Sequence, residues 1–321
     1  MGDKVLAVDL GGTNLRMAVV DRDGHIEHRE RCSTPQVNDP DAIVSAIAGL
    51  AELCQKAIGS KSPIGILGAA VPAILNLREG KIDIAPNLPM LDGVAFEPKL
   101  KNKLGMDVIL ENDATAAAIG EHWLGASSGF ENSICVTLGT GVGGGIIING
   151  QPLRGPDGTA GEIGHICVEP NGHPCGCGSW GCVEQYSSAT AVVRIAGELA
   201  ATYGSSIDMS RPFTAKDVYL AAKQGDRTAV ETFNEMGSYL GLALAGLVNA
   251  LNPEVIVFAG GMSAAWDVFI EETRAQIKKR AFREPALRVK LVRAELGDDA
   301  GILGAASLAL TKGSGNANSV K

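Results

Sequence analysis

One pattern constrains this fold more than any other, and it occurs twice. An apolar strand runs into a short turn of Gly and Thr and then into a second apolar strand, first around residues 9–13 and again around residues 138–143. Because glycine has no Cβ, the backbone of such a turn can approach a bound group closely, and its N–H groups can face an anion. Two copies predict two similar lobes, each supplying one phosphate-facing turn to a cleft between them.

The composition is consistent with two α/β lobes. The chain has 321 residues, which is more than a single core usually holds. Hydrophobic residues make up 45% of it but aromatic residues only 4%, and there are 41 glycines, so the core is built from small aliphatic side chains joined by tight turns. The net charge of −8 argues against broad contact with nucleic acid or an anionic membrane.

No targeting or membrane-spanning segment is expected. Residues 1–10 carry charges and lack the apolar centre of a signal peptide, and the longest apolar stretch, residues 240–251, is too short to cross a bilayer. Four of the seven cysteines stand singly in the chain, at Cys32, Cys54, Cys135 and Cys167. Single cysteines in a chain without a signal peptide are typical of a reducing compartment, so we expect a cytoplasmic protein.

Three glycine turns are candidate nucleotide contacts. In the first, Thr13 adds a hydroxyl donor and Asp9 is placed to hold Mg²⁺, directly or through water. The second contains the pattern G-x-G-x-x-G, but a strand is predicted after it, whereas a dinucleotide-binding turn starts a helix. Each turn taken alone could also be a simple hairpin turn or helix start. The candidate contacts are Asp9, Gly11, Gly12, Thr13, Gly139, Thr140, Gly141, Gly143, Gly260 and Gly261.

A carboxylate at a strand-to-helix junction is the candidate catalytic group. Asp113 follows the apolar strand at residues 108–110 and precedes a helix predicted over residues 114–124. A rigidly held carboxylate can take the proton of a hydroxyl that attacks a phosphoryl group. Asp is also a favoured cap at a helix N-terminus, and the spacing alone favours that simpler role. The two roles are compatible.

One histidine and three cysteines predict a metal site. In chain order they are His165, Cys175, Cys177 and Cys182. Three thiolates and one imidazole make a closed tetrahedral Zn²⁺ site, which is structural because no position stays open for water. Free or disulfide-bonded cysteines are the alternative. The segment 165–182, named here the zinc loop, would also fix Glu162 and Glu184 beside His165, where these groups can bind neighbouring sugar hydroxyls.

Together and in this order, the motifs resemble the ROK family of sugar kinases and repressors. The resemblance runs from Val5 to about Leu310 and closes on the segment Gly-Asp-Asp-Ala-Gly at residues 297–301. It implies an α/β, two-lobed fold of the actin-like ATPase (ribonuclease H-like) type, with ATP between the lobes. The expected division is a small lobe of residues 1–113 with 302–321, carrying the first phosphate turn, and a large lobe of residues 114–301, carrying the zinc loop and an adenosine-binding turn.

The resemblance also implies roles for individual residues. Asp113 would be the general base for a sugar hydroxyl, and His165 would serve two sites, with one ring nitrogen on zinc and the other facing the sugar. One departure is Pro72-Ala73, where the family often has Pro-Gly, so Ala73 adds a Cβ that is expected to affect which sugar fits. The implied sugar-binding residues are Asn87, Asn112, Asp113, Glu162, His165 and Glu184.

We therefore expect ATP-dependent phosphorylation of glucose at its 6-hydroxyl, giving glucose 6-phosphate, by a homodimer or homotetramer that uses Mg²⁺. Fructose, mannose, allose, N-acetylglucosamine and N-acetylmannosamine stay open as substrates, as does polyphosphate as donor. A sugar sensor without activity is less consistent, because Asp9, Asp113 and all three glycine turns are present. A repressor is not expected, because the first phosphate strand starts at Val5 and leaves no room for a preceding DNA-binding domain. A zinc-storage or redox role has no support beyond the cysteines.

Overall fold

The computed structural model describes residues 4–59 and 64–313 of the chain. Two five-stranded sheets, with helices on their faces, make up most of this part. The central strands of both sheets, such as Ile66–Val71 and Val255–Ala259, are buried along nearly their whole length, which is typical of sheets covered on both faces. None of the helices between these limits is both long and apolar enough to cross a lipid bilayer.

The first half of the chain builds a mixed sheet. Its elements are β1 (Lys4–Leu10), β2 (Asn14–Asp21), β3 (Ile26–Ser33), α1 (Pro40–Ile58), β4 (Ile66–Val71), β5 (Ile74–Asn76), β6 (Lys81–Ile84), α2 (Phe96–Leu104), β7 (Asp107–Asn112) and α3 (Asp113–Leu124). The order across the sheet is β3–β2–β1–β4–β7. Strands β1, β2 and β3 pair antiparallel, whereas β4 is parallel to both β1 and β7. Strands β5 and β6 form a separate hairpin.

The second half builds a sheet of the same design. Its elements are β8 (Ser133–Leu138), β9 (Val142–Ile148), β10 (Gln151–Pro152), α4 (Glu184–Ser187), α5 (Ala189–Tyr203), α6 (Ala215–Lys223), α7 (Arg227–Leu251), β11 (Val255–Ala259), α8 (Trp266–Arg280), α9 (Arg283–Arg288), β12 (Lys290–Arg293) and α10 (Ala300–Gly313). The order is β10–β9–β8–β11–β12, with the same sequence of antiparallel and parallel pairs. The strand pattern that the two glycine turns predicted is therefore a repeat of topology.

Strand β9 contains three consecutive glycines, Gly143, Gly144 and Gly145. A Cβ built on Gly143 would lie 2.9 Å from the Cβ of Ala114, and one on Gly145 would lie 2.9 Å from the carbonyl oxygen of the same residue in α3. On the opposite face, a Cβ on Gly144 would lie 2.5 Å from the side chain of Ile163. The glycines therefore let α3 and the short 3₁₀ helix Ile163–His165 approach the strand from both sides.

Helices α3 and α10 cross in close contact between the two sheets. Helix α10 packs on β1 and β4 of the first sheet, and α3 packs on β8 and β9 of the second. Small residues allow the crossing, since a Cβ on Gly304 would lie 1.7 Å from the carbonyl oxygen of Ala116, and one on Gly120 would lie 2.2 Å from that of Ala300. Because α3 begins at Asp113, this crossing also fixes the start of the helix relative to both sheets.

Candidate active site

The first glycine turn joins β1 to β2 and is held by its own backbone. The Gly11 N–H group donates to the Asn14 carbonyl oxygen at 2.9 Å. Thr34, at the end of β3, donates its N–H group to the Thr13 carbonyl at 2.9 Å and its hydroxyl to the Gly11 carbonyl at 2.6 Å. Thr13 itself is exposed. These hydrogen bonds fix the backbone of the turn and leave the Thr13 side chain at the surface.

Charged groups surround this turn. Asp9 and Arg16 face each other across β1 and β2, and the Arg16 guanidinium donates to the Asp9 carboxylate. Burial raises the pKa of Asp9, and the ion pair with Arg16 opposes that shift. Arg16 and Arg31, together with the turn and Asp298, line a cleft of about 440 Å³. Two guanidinium groups beside backbone N–H groups suit phosphate. The sequence analysis did not identify either arginine.

The second turn is tied to the helices that follow the zinc loop. The Val142 N–H group donates to the Glu184 carboxylate at 2.9 Å. The carbonyl oxygen of Thr140 accepts from the Thr190 hydroxyl at 2.9 Å, and the Gly139 N–H group donates to the Gly141 carbonyl at 3.0 Å. Glu184, a predicted sugar contact, is therefore also a partner of the second turn.

The third turn lies against the second. Gly260 ends β11 with φ of 82°, and a Cβ there would lie 2.4 Å from the carbonyl oxygen of Leu138, the last residue of β8. The 3₁₀ helix Gly261–Ala265 starts at once and leads into α8. The two parallel strands β8 and β11 thus present their turns at one edge of the second sheet.

Asn112 and Asp113 divide two roles between them at the start of α3. Asn112 is the N-cap, and its side-chain oxygen accepts from the N–H groups of Ala114 at 3.0 Å and Thr115 at 3.1 Å. Its amide nitrogen donates to the Ala73 carbonyl at 3.3 Å. Asp113 is the first helical residue, and its carboxylate accepts from the Ala114 N–H group at 2.8 Å. The capping role belongs to Asn112, so Asp113 is available for a ligand.

The Asp113 carboxylate has an environment that favours a base of moderate strength. Burial raises its pKa to about 6, the hydrogen bond from Ala114 opposes the shift, and the negative charges of Asp9 and Glu162 add to it. Asp113 is nevertheless partly exposed to solvent. The influence of Asp9 and Glu162 means that the phosphate turn and the segment before the zinc loop both converge on Asp113.

The predicted metal ligands lie together. The four donor atoms of His165, Cys175, Cys177 and Cys182 are all within 4.8 Å of one another. The Cys175 sulfur is 3.6 Å from His165 Nδ1, and the sulfurs of Cys177 and Cys182 are 3.7 Å apart. Tetrahedral zinc with Zn–S bonds of about 2.3 Å separates two sulfurs by about 3.8 Å, so the residues fit that ion.

The His165 ring has different neighbours at its two nitrogens. Nδ1 faces the cysteine sulfurs, whereas Nε2 lies 3.9 Å from a carboxylate oxygen of Glu162. Asn87, the remaining predicted sugar contact, is exposed and lies beside the first turn, since a Cβ on Gly12 would be 3.4 Å from the Asn87 Cβ. Asn87 thus lies next to the first turn, and Glu162 lies next to His165.

A buried ion pair lies next to the start of α3, and the sequence analysis did not identify it. Glu111 is 2% exposed, and Arg154 donates from Nε to one of its oxygens at 2.8 Å, while Arg154 Nη2 lies 2.7 Å from the same oxygen. The two residues are 43 positions apart in the chain. Only the folded arrangement brings them together.

Comparison with known proteins agrees with these observations. The model of the ROK family matches residues 5–312. A glucokinase of Halalkalibacterium halodurans is 38% identical over 309 residues, which cover 93% of this chain and 92% of that protein. The crystal structure of the ROK hexokinase from Thermus thermophilus superposes with a TM-score of 0.83 at 32% identity, covering 97% of this chain and 99% of the other.

A second solved structure is a ROK family glucokinase from Streptomyces griseus in complex with glucose and AMPPNP. It has a TM-score of 0.77 and 34% identity, and covers 96% of this chain and 99% of the other. These similarities confirm the predicted α/β fold with two lobes of the actin-like ATPase type.

Proposed function

Because this chain belongs to the ROK family, we propose that it is an ATP-dependent kinase that phosphorylates glucose at its 6-hydroxyl. The observation that carries the proposal is the position of Asp113, a partly open carboxylate on which the phosphate turn and the predicted sugar-binding loop converge. The glucokinase of Halalkalibacterium halodurans and the Streptomyces griseus structure with glucose and the ATP analogue AMPPNP support glucose and ATP as the two substrates.

Asp113 acts as the general base. Its carboxylate accepts the proton of the sugar 6-hydroxyl while that oxygen forms a bond to the γ-phosphorus and the bond from phosphorus to the β-phosphate oxygen breaks, releasing ADP. With a pKa of about 6, the group is ionised at neutral pH and is more basic than an ordinary aspartate. The N-cap Asn112 holds the backbone on which it stands.

The sugar lies between Asp113 and the zinc loop. Carboxylates accept hydrogen bonds from hydroxyl groups, and a sugar presents hydroxyl donors around its ring. One carboxylate oxygen of Glu184 accepts a hydrogen bond from the Val142 N–H group, so Glu184 also links the sugar to the second turn. The residues proposed to bind the sugar are Asn87, Asn112, Asp113, Glu162, His165 and Glu184.

The nucleotide lies along the three glycine turns. Backbone N–H groups of the first two turns bind phosphate oxygens, with Arg16 and Arg31 beside them, and the turn at Gly260 and Gly261 contacts the adenosine. Gly143 contributes through the close packing of β9 on α3. Asp9 is the residue proposed to hold Mg²⁺, which neutralises phosphate charge when bound. The remaining proposed contacts are Gly11, Gly12, Thr13, Gly139, Thr140 and Gly141.

Zinc is proposed as a structural ion of the zinc loop. The ligands are His165, Cys175, Cys177 and Cys182, whose spacing fits a closed tetrahedral site. With Nδ1 on the metal, the His165 ring keeps Nε2 for the sugar side, where Glu162 lies. The ion thus fixes the orientation of sugar-binding groups and takes no part in phosphoryl transfer.

The proposal includes how the chain is divided and where it works. The small lobe is residues 1–113 with 302–321 and the large lobe is residues 114–301, which agrees with the packing of α10 on β1 and β4; residues 314–321 lie outside the described part.

We place the enzyme in the cytoplasm, where thiols such as its seven unpaired cysteines stay reduced. Its assembly is a homodimer or homotetramer, which sedimentation analysis would test.

A coupled assay of ADP release with Mg-ATP tests the function. It is run across glucose, fructose, mannose, allose, N-acetylglucosamine and N-acetylmannosamine, and we expect kcat/KM to be highest for glucose. Preference for another sugar would keep the kinase and reassign its substrate, with Ala73, which is buried and bonded to Asn112, as the first residue to vary. No turnover of any sugar, with ATP or with polyphosphate, would contradict the proposal and favour a sugar sensor.

A further inference from the structure

We propose that Arg154 and Glu111 are positioning residues that set the distance between the catalytic base and the sugar-binding loop, an inference that rests on the kinase function proposed above. Neither residue is placed to touch the substrate in that scheme. Their bonds connect the backbone of the base with the segment that carries Glu162.

The first connection runs from Glu111 to the base. Glu111 belongs to β7 and immediately precedes Asn112 and Asp113. Its Oε1 accepts the Asn112 N–H group at 3.2 Å, and its Oε2 accepts from Arg154 Nε at 2.8 Å and forms the ion pair with the same guanidinium. The carboxylate is thereby bonded on one side to the residue that caps α3 and on the other to a different part of the chain.

The second connection runs from Arg154 to the sugar side. Arg154 follows β10, and its carbonyl oxygen accepts the Ala160 N–H group at 3.0 Å, which closes a compact loop. The tip of this loop meets the β5–β6 hairpin of the first half, since a Cβ on Gly158 would be 3.0 Å from the Leu75 carbonyl oxygen. Two residues after the loop closes, the chain reaches Glu162. Arg154 therefore stands at the base of a loop that bridges the two halves and leads into the sugar site.

Breaking the pair at one end should displace the base. The Glu111 carboxylate is 2% exposed, and without Arg154 it would be a buried charge with one backbone hydrogen bond. The group must then take up a proton or move toward water, and either change alters its bond to Asn112. Because catalysis depends on geometry, a displacement of about 1 Å can lower the rate about a hundredfold.

The test compares Arg154→Gln, Arg154→Lys, Glu111→Gln and the double variant Glu111→Gln/Arg154→Gln. We expect Arg154→Gln to lower kcat/KM for glucose by about ten- to a hundredfold while KM for ATP changes less than about twofold. Arg154→Lys should recover part of the loss. The double variant should be more active than Arg154→Gln alone, because two amides can bond to each other without leaving a charge buried.

A control comes from the other end of β7. Lys101 in α2 and Asp107, the first residue of β7, form an exposed ion pair of 2.6 Å, so Lys101→Gln removes an ion pair to this strand without touching the site. It should keep kcat/KM within about twofold. Melting temperatures and glucose affinity by calorimetry without ATP are measured for every variant.

Several outcomes would overturn the inference. These are an Arg154→Gln enzyme with kcat/KM for glucose near the wild-type value, a KM for ATP that rises about tenfold or more in that variant, or a double variant in which the effects of the two single substitutions simply add. If Arg154→Gln does not fold, Arg154→Lys and the double variant carry the comparison. A wild-type protein without kinase activity would contradict the proposed function instead, and glucose affinity would then still report whether Arg154 positions Glu162.

Discussion

At Asp113, opposing influences act on one carboxylate. The N-terminus of α3 and the Ala114 N–H group stabilise its charge, whereas burial and the nearby charges of Asp9 and Glu162 oppose that charge. The balance leaves the pKa at about 6, well above that of an exposed aspartate. A residue with this pKa is ionised at neutral pH but holds a proton better than most carboxylates, which is what a general base requires.

Replacing the base separates catalysis from binding. In Asp113→Asn the amide cannot accept the hydroxyl proton, so kcat should fall by about 10²- to 10⁴-fold. Glucose affinity, measured by calorimetry, should change little because the amide keeps the shape of the side chain. The melting temperature at pH 8 should rise, because burial disfavours the ionised carboxylate of Asp113 in the folded wild-type protein and the neutral amide has no such cost. Wild-type kcat would contradict the assignment of Asp113 as the base.

The same carboxylate should govern the response to pH. Only its ionised form is active, so kcat/KM for glucose, measured with saturating Mg-ATP, should rise as pH increases and reach half its maximum near pH 6. Stability should change in the opposite sense, because a raised pKa favours the protonated folded state. That contribution is present below the ordinary aspartate pKa and is lost as pH rises through about 6. An activity midpoint near pH 4 would show that Asp113 is not buried as described.

In the proposed function, the sugar site depends on the zinc loop more than on any other element. The loop has no helix or strand of its own between Ile166 and Cys182, and its backbone is held by turn hydrogen bonds and two isolated bridges, Cys167 with Cys182 and Pro174 with Trp180. Cys175 and Cys182 are buried, whereas Cys177 is exposed. A loop of this kind has little core of its own, so the proposed ion would supply much of its stability.

Loss of one ligand should therefore affect metal content and sugar binding together. Cys177→Ser is expected to lose zinc, measured by elemental analysis after purification, and to raise KM for glucose by about tenfold or more, since ligand changes of this kind reduce metal affinity about 10- to 100-fold. Cys167→Ser is the matched control, because Cys167 is exposed and outside the cluster. Full zinc content in Cys177→Ser would exclude Cys177 as a ligand.

At this scale the sequence predicted the long or strongly apolar elements and missed the sparsely buried ones. The strands on either side of the two glycine turns, β1 with β2 and β8 with β9, and the helix α3 lie where their patterns indicated. The helix α2 buries only Phe96 and Leu100, and β12 buries only Leu291 of its four residues, so neither has an apolar pattern that stands out. The structure of α2 and β12 therefore depends on the elements that they pack against more than on a local sequence pattern.

In the site, local motifs could be read from the sequence but long-range pairs could not. The four clustered His and Cys residues and the strand-to-helix carboxylate lie within short segments, so their spacing predicted that they would be close together or at a helix start. The pair Arg154 and Glu111 depends on how β7 and the loop after β10 meet, which no local pattern encodes. Arg16 lies opposite Asp9 because of the register between β1 and β2. A prediction of this hairpin with the correct turn length would have placed the two residues opposite each other.

For the whole molecule, the crossing of α3 and α10 connects the two sheets. Gly304→Ala would bring a Cβ to 1.7 Å from the Ala116 carbonyl oxygen, so the helices must separate. We expect this variant to lose about 1–3 kcal/mol of unfolding free energy and to lower kcat, since α3 carries the base. Gly246→Ala in α7 is the control, because its Cβ meets nothing within 4 Å.

Chemical denaturation measures the difference between the two glycine variants. Gly246→Ala should stabilise the protein by about 0.5–1 kcal/mol, since alanine is the better helix former. If both variants had equal stability and activity, the close crossing of α3 and α10 would not be needed for the fold.

The bare strand β9 has a practical consequence for anyone who wishes to give this enzyme a new substrate by directed evolution. Residues 143–145 have structure packed against both faces, so a library that varies them will consist mainly of inactive clones, however close they lie to the pocket. Screening effort is better spent on Ala73, which borders Asn112 without supporting α3. The same strand also explains why neutral drift should leave a run of glycines here unchanged while the surrounding pocket diversifies.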